Sequence, residues 1–198
     1  MVRVFGLLIA ALALMAPANA ALLSYEFTNS AVGVVDPATA GTATDFQGSG
    51  SVGATSWTTA AVGQNTFEFT VGSTPLVLTD LEIRGRRIGG SNGAARADVA
   101  VSYQLDTGSG YGSLVVIDSL QPGLSFAPQP YDFTDLSLTP GTKIKFVIDT
   151  ALSGVGATAV SFDMDYVRLN GGAVPEPASM AIFGLMGAGL AVRRFRRK

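Results

Sequence analysis

Four residues near the C-terminus have types and spacing suited to chemistry performed on the chain itself: Val174-Pro175-Glu176-Pro177. Two prolines flanking one residue remove backbone donors and disfavour helix, leaving an extended segment of the kind a processing enzyme holds in its cleft. The plainer reading of such a segment is a juxtamembrane linker. Its flank gives the context. Ala178 to Val192 is a 15-residue run without charge, followed by Arg193, Arg194, Arg196, Arg197 and Lys198. A full bilayer crossing takes about 20 residues, so the run is short by length alone. Gly184, Gly187 and Gly189 would weaken a water-exposed helix but are common in membrane helices. The terminal cations form a stop at the cytoplasmic face and can snorkel to shorten the required span.

Elsewhere the chemistry is bounded by what is missing. Histidine and cysteine are both absent. That removes a Ser-His-Asp triad, a thiol nucleophile, disulfides, the usual zinc ligands and His- or Cys-ligated haem. No cofactor is expected beyond a hard cation held by oxygen, with calcium the natural candidate. Glycoside hydrolysis needs only two carboxylates about 5 to 10 Å apart, so a carboxylate-dependent, polysaccharide-acting enzyme stays open as an alternative. Fourteen acidic residues lie between Ala21 and Val174, and nothing in the sequence elects a pair. A non-catalytic role is the reading preferred.

Two aromatic residues and an arginine cluster are candidate glycan contacts. Tyr111 sits in the glycine-rich stretch GSGYGS, where an exposed ring could stack on a sugar. Trp57 is the only tryptophan, and burial in a core competes with a binding role for it. Arg84, Arg86, Arg87 and Arg96 fall within thirteen residues and could cradle an acidic polysaccharide; a solvated strand end is the simpler account. The surrounding body has seven Lys and Arg against fourteen Asp and Glu, a net −7 that disfavours nucleic acid.

The elements that must position these residues follow from pattern. The chain opens with Arg3, an apolar stretch from Phe5 to Met15, and Ala18-Asn19-Ala20, the three parts of a secretory signal over residues 1–20. With that signal cleaved, the positive-inside rule places the body outside the membrane. Residues 21–173 then form one extracytoplasmic domain, and 174–198 a separate C-terminal segment. Within the body, Phe67, Phe69 and Val71 alternate with Glu68 and Thr70. Val99, Val101, Tyr103 and Leu105 share a face, and Ile144, Phe146 and Ile148 oppose Lys143, Lys145 and Val147. Period two predicts half-buried strands. Further strands are predicted over 22–28, 76–84, 114–120 and 159–169. Clusters such as GGSNG, TGSGYGS and LTPGT supply the turns between them. The fold predicted is all-β, an antiparallel β-sandwich of jelly-roll type, flanked by a signal peptide and one C-terminal transmembrane helix.

The order Pro175-Glu176-Pro177, short glycine-rich span and terminal basic cluster closely resembles the PEP-CTERM sorting signal of Gram-negative bacteria. The resemblance covers Val174 to Lys198. It implies recognition and cleavage near Pro-Glu-Pro by an exosortase, a membrane precursor, then delivery to the cell surface or extracellular matrix in association with exopolysaccharide or biofilm. A permanently anchored surface protein is the alternative. A weaker resemblance lies in Asp165-Tyr166-Val167-Arg168-Leu169, which is similar to the closing strand of jelly-roll, carbohydrate-binding-like sandwiches. It implies that the first and last strands are neighbours, with Glu26, Asp163 and Asp165 as candidate ligands for a structural calcium. The parity of Phe162 and Met164 differs from that of Val167 and Leu169, which predicts a bulge near Asp165.

Overall fold

The computed structural model describes residues 20–28, 30–36, 38–59, 62–88, 96–153 and 161–174. The predicted signal (but for Ala20) and everything from Pro175 onward lie outside the described residues. Among the described residues the secondary structure is β with one short 3-10 turn at Ala38–Ala40. No helix there is long and apolar enough to cross a membrane.

The strands are β1 (Ala20–Glu26), β2 (Val34–Val35), β3 (Gly41–Ala43), β4 (Gln47–Gly48), β5 (Gly50–Val52), β6 (Trp57–Thr59) and β7 (Gly63–Val71). They continue as β8 (Leu76–Ile88), β9 (Arg96–Asp106), β10 (Val115–Leu120), β11 (Ala127–Leu138), β12 (Lys143–Ser153) and β13 (Ser161–Ala173). One sheet runs β11-β8-β13-β1-β2, with β6 also on β13 and β5 on β6. The other runs β10-β9-β12-β7-β3, with β4 on β7. The two antiparallel sheets share one core, as a β-sandwich does.

The alternating runs account for the core. Phe67, Phe69, Val71, Val99, Val101, Ile144, Phe146 and Ile148 all point inward from the second sheet. They meet Leu78, Leu81, Ile83, Met164, Val167 and Leu169 from the first. Aromatic rings fill one region: Phe67 stacks on Phe146 at 4.8 Å, and Phe46 meets Phe27 at 4.9 Å and Trp57 at 5.1 Å. Val147, expected on the outer face, is nonetheless 4% exposed.

Two local features set the geometry of the last strand. Met164 lies opposite Gly85 and Tyr166 opposite Arg84, so Asp165 is the extra residue of a bulge, where parity predicted one. The bulge lets Phe162 and Met164 face the core together with Val167 and Leu169. Gly85 permits that packing, because a Cβ there would lie 2.3 Å from the Phe162 ring. At the other end of the sandwich, Thr139-Pro140-Gly141-Thr142 closes a turn: Thr142 N donates to the Thr139 carbonyl at 3.1 Å, and Gly141 takes φ +80°. Proline then a positive-φ glycine is the signature of a type II turn.

β11 was not among the predicted strands. It carries Pro128, Pro130 and two residues at positive φ, Thr134 and Asp135, which split its register with β8. It survives as a strand because it is an edge, where a missing N–H costs no ladder bond.

β1 pairs with β13, Ala20 opposite Gly171, as the resemblance implied. Both ends of the described body therefore lie at one pole. Three loops share it, residues 72–75 between β7 and β8, 107–114 between β9 and β10, and 139–142 between β11 and β12, together with the segment from Asp36 through the Ala38–Ala40 turn, whose Ala40 carbonyl accepts the Gly72 N–H.

Candidate functional site

Val174 is the last residue described, and it is tied down. Its N–H donates to the Pro75 carbonyl at 2.9 Å. β13 ends one residue earlier, at Ala173. The Pro-Glu-Pro segment thus starts at the surface of the folded body with no intervening linker. Pro175, Glu176, Pro177 and the predicted membrane-stop residues Arg193, Arg194, Arg196, Arg197 and Lys198 lie outside the described residues.

The outer face of the first sheet carries a ladder of paired polar groups. β8 presents Asp80, Glu82, Arg84 and Arg86, and β13 answers them. Asn170 Nδ2 donates to Asp80 at 2.7 Å, Tyr166 Oη to Glu82 at 2.7 Å, and Arg84 Nη1 to Asp165 at 2.7 Å. Arg86 reaches Asp163 at 3.3 Å, and Asp163 also accepts from Thr58 Oγ1 at 2.7 Å. Arg168 lies 3.9 Å over the Tyr166 ring and pairs with Glu26 at 2.8 Å. Arg86 stacks on Phe126, 4.4 Å from its centroid.

This arrangement changes the account of two predicted sites. The arginines of RGRR are not an open cationic cradle, because Arg84 and Arg86 close on carboxylates of the adjacent strand. Arg87 is half-buried, with its backbone N–H on the Gly123 carbonyl. Arg96 opens β9, opposite Ser153. The three carboxylates expected to hold calcium do not converge on one point. Glu26, Asp163 and Asp165 each hold a different arginine, and the described residues contain no cluster of three acidic groups arranged for a metal. A cation would have to displace a guanidinium from each.

Trp57 is a core residue. It is 6% exposed, packs on Phe27 and Phe46, and donates its indole N–H to Asn65 Oδ1 at 3.1 Å.

Tyr111 is different. It belongs to the loop 107–114, is 36% exposed, and lies on the outer face of the second sheet. Asp106 shapes the loop by accepting the N–H groups of Gly108 and Gly110 at 2.8 and 2.9 Å. Those bonds hold the Asp106 carboxyl below the usual carboxylate range. Gly108 and Gly110 both take positive φ, which lets the loop fold back over the strands. Beneath Tyr111 runs one row in register across three strands: Glu68 on β7, Lys145 on β12 and Gln104 on β9. Gln104 Nε2 donates to the Gly112 carbonyl at 3.0 Å, and Lys145 Nζ lies 6.0 Å from the Tyr111 ring centre. Partial burial, then a hydrogen bond to Glu68, pushes the Tyr111 hydroxyl up to about 12. The phenol is therefore a neutral group held in place beside an acceptor, a cation and an amide. Glu68 and Lys145 were legible as outward-facing residues; their meeting with Gln104 under Tyr111 was not.

The described body is thus a two-sheet antiparallel β-sandwich with a partly exposed aromatic on one face. The chain's C-terminal segment, residues 173–198, carries a PEP-CTERM protein-sorting motif. No curated protein matches the chain. Among solved structures, the chain is similar to the C-terminal domain of a chitobiase from Bacteroides fragilis. The identity is 14%, the TM-score 0.40, and the match covers 69% of this chain and 97% of that one. It is also similar to TmCBM61, solved in complex with β-1,4-galactotriose, at 8% identity and a TM-score of 0.38, covering 62% of this chain and 86% of that one.

Proposed function

We propose that the protein is exported behind a cleaved signal at residues 1–20. It is then held by the apolar run 178–192 as an inner-membrane precursor and processed by an exosortase near Pro175-Glu176-Pro177. The product is a surface or extracellular matrix component associated with exopolysaccharide, and its jelly-roll-like body acts without catalysis. The observation that carries this reading is the sorting motif at 173–198, which starts where the last strand stops.

For the body, the geometry favours glycan contact at Tyr111 over catalysis. The ring offers a stacking surface, and Glu68, Lys145 and Gln104 offer the donors and acceptors that orient a sugar beside it. The carboxylates of the opposite face are engaged by arginine, asparagine or tyrosine.

The test passes the mature protein over the host's own exopolysaccharide. Retention without new reducing ends, weakened about two- to tenfold by Tyr111→Ala, is expected for a stacking contact of about 0.5–1.5 kcal/mol. New reducing ends would make the protein an enzyme. Neither retention nor cleavage would leave a passive matrix protein.

A further inference from the structure

The pole at which both ends of the body meet has an unusual composition. Three of its loops read Gly72-Ser-Thr-Pro75, Thr107-Gly-Ser-Gly-Tyr-Gly-Ser-Leu114 and Thr139-Pro-Gly-Thr142, and these contain no charged residue. The body behind them has a net −7. The charges nearest the tip are Asp106 and Lys143, which face each other in register at the strand ends, and Asp36, exposed in the segment between β2 and the Ala38–Ala40 turn with its N–H on the Leu22 carbonyl.

Chain length fixes what this pole must meet. Val174 is held against Pro75 at the pole, and the uncharged run begins at Ala178. Four residue steps reach at most about 14 Å, even fully extended. The headgroup layer on one side of a bilayer takes about 5–7 Å of that. With the run in the bilayer, less than about 9 Å separates the pole from the lipid surface, close to one Debye length of about 8 Å at physiological ionic strength. An acidic body held that close to anionic headgroups would be repelled through any carboxylate placed there. Apart from Asp36, its loop tips carry Gly, Ser, Thr and Pro instead, which bring neutral hydroxyls and backbone amides to the surface.

We propose that this pole is a membrane-contacting surface: in the unprocessed chain, loops 72–75 and 139–142 and the tip 107–110 rest on the lipid headgroups. The proposal rests on the reading that residues 178–192 span the bilayer. It fixes the orientation of the body, with the opposite pole and its loop 121–126 directed away from the membrane. The thirteen residues of β13 put the two poles about 40 Å apart.

The lack of native cysteine makes the test clean. Signal-cleaved chains running from Ala21 to Lys198 and bearing one cysteine each, at Ser73 or Ser109 on the near pole and at Val62 or Ser125 on the far pole, are labelled with a fluorophore. They are reconstituted into vesicles of zwitterionic and anionic phospholipid in a 3:1 ratio that carry a headgroup quencher. All four positions are exposed, so the label need not disturb the core. Quenching at 73 and 109 at least twofold stronger than at 62 and 125 is the expected result. Equal quenching at the two poles, in chains that float with the vesicles, overturns the orientation alone. Chains that do not float overturn the spanning reading and this inference with it.

Discussion

The N–H of Val174 donates to the carbonyl of Pro75 at 2.9 Å, and the next residue is the first proline of the sorting segment. That bond joins the end of the last strand to the loop that opens β8. An enzyme that acts at Pro175-Glu176-Pro177 therefore works beside a folded domain rather than at the end of a tether. The polar ladder and the bulge at Asp165 both lie on the same strand that ends there, so the body's integrity and the presentation of its tail are linked through β13.

Gly85→Ala tests the packing of that strand. The new methyl would lie 2.3 Å from the Phe162 ring and 3.0 Å from the Asp163 carbonyl oxygen. Overpacking at such a site costs about 1–3 kcal/mol. Denaturant unfolding of the variant is expected to show a lower midpoint with an unchanged slope. A midpoint equal to that of the parent would mean that β8 and β13 are not this close.

Asp163 is the buried member of its ion pair, 3% exposed against 41% for Arg86. Asp163→Asn keeps an acceptor for Thr58 but leaves Arg86 without its countercharge. The expected loss is about 1–3 kcal/mol, toward the low end because the arginine is solvent-screened. A double-mutant cycle with Arg86→Met separates the pair from the rest, and additive losses would show that the two side chains are uncoupled. Because Glu26, Asp163 and Asp165 are each engaged by arginine, the melting temperature is expected to be the same in millimolar calcium and in EDTA. A rise in calcium would show that the cation displaces those partners.

The pH dependence is set by tyrosine, since the chain has no histidine or cysteine to titrate near neutrality. Burial, reinforced by Asp45 for Tyr25 and by Asp118 for Tyr131, pushes both phenols well above their ordinary range. Tyr166, partly buried and bonded to Glu82, is pushed up to about 12. A raised folded pKa means that the native state keeps protons the unfolded chain gives up. Stability is therefore full below about pH 10, the ordinary phenol value, and falls as pH rises toward the folded values. Unfolding free energies measured between pH 8 and 12 should decline above pH 10, with phenolate absorbance lagging in the native state. A flat profile to pH 12 would contradict this.

Much of the body was legible because its strands obey a simple period. Phe67, Phe69 and Val71 had to share a face, and so did Ile144, Phe146 and Ile148. The parity break between Met164 and Val167 located the bulge. What escaped was either too short or too polar to read. β2 to β6 are two or three residues each, and β11 hides behind Pro128 and Pro130. Trp57 could have been core or contact until Asn65 and the Phe46 ring were seen around it. Cross-strand register was the larger gap. Arg84 and Asp165 are 81 residues apart in sequence, and no periodicity says that they meet. The same holds for the row under Tyr111, whose three members come from three different strands.

The central claim is that the tail is a signal that is read and removed, and intact mass spectrometry of the protein recovered from the cell surface tests it most directly. The C-terminal run is only 15 residues long and contains three glycines, so on the proposed reading it would be a weak permanent anchor but would serve to pause the chain until an enzyme acts. The surface form is predicted to begin near Ala21 and to have lost everything from about Met180 onward. Replacing Pro175, Glu176 and Pro177 with alanine should leave a full-length chain in the membrane fraction. A surface protein whose mass still includes Arg193 to Lys198 would contradict the account and make the segment a simple anchor.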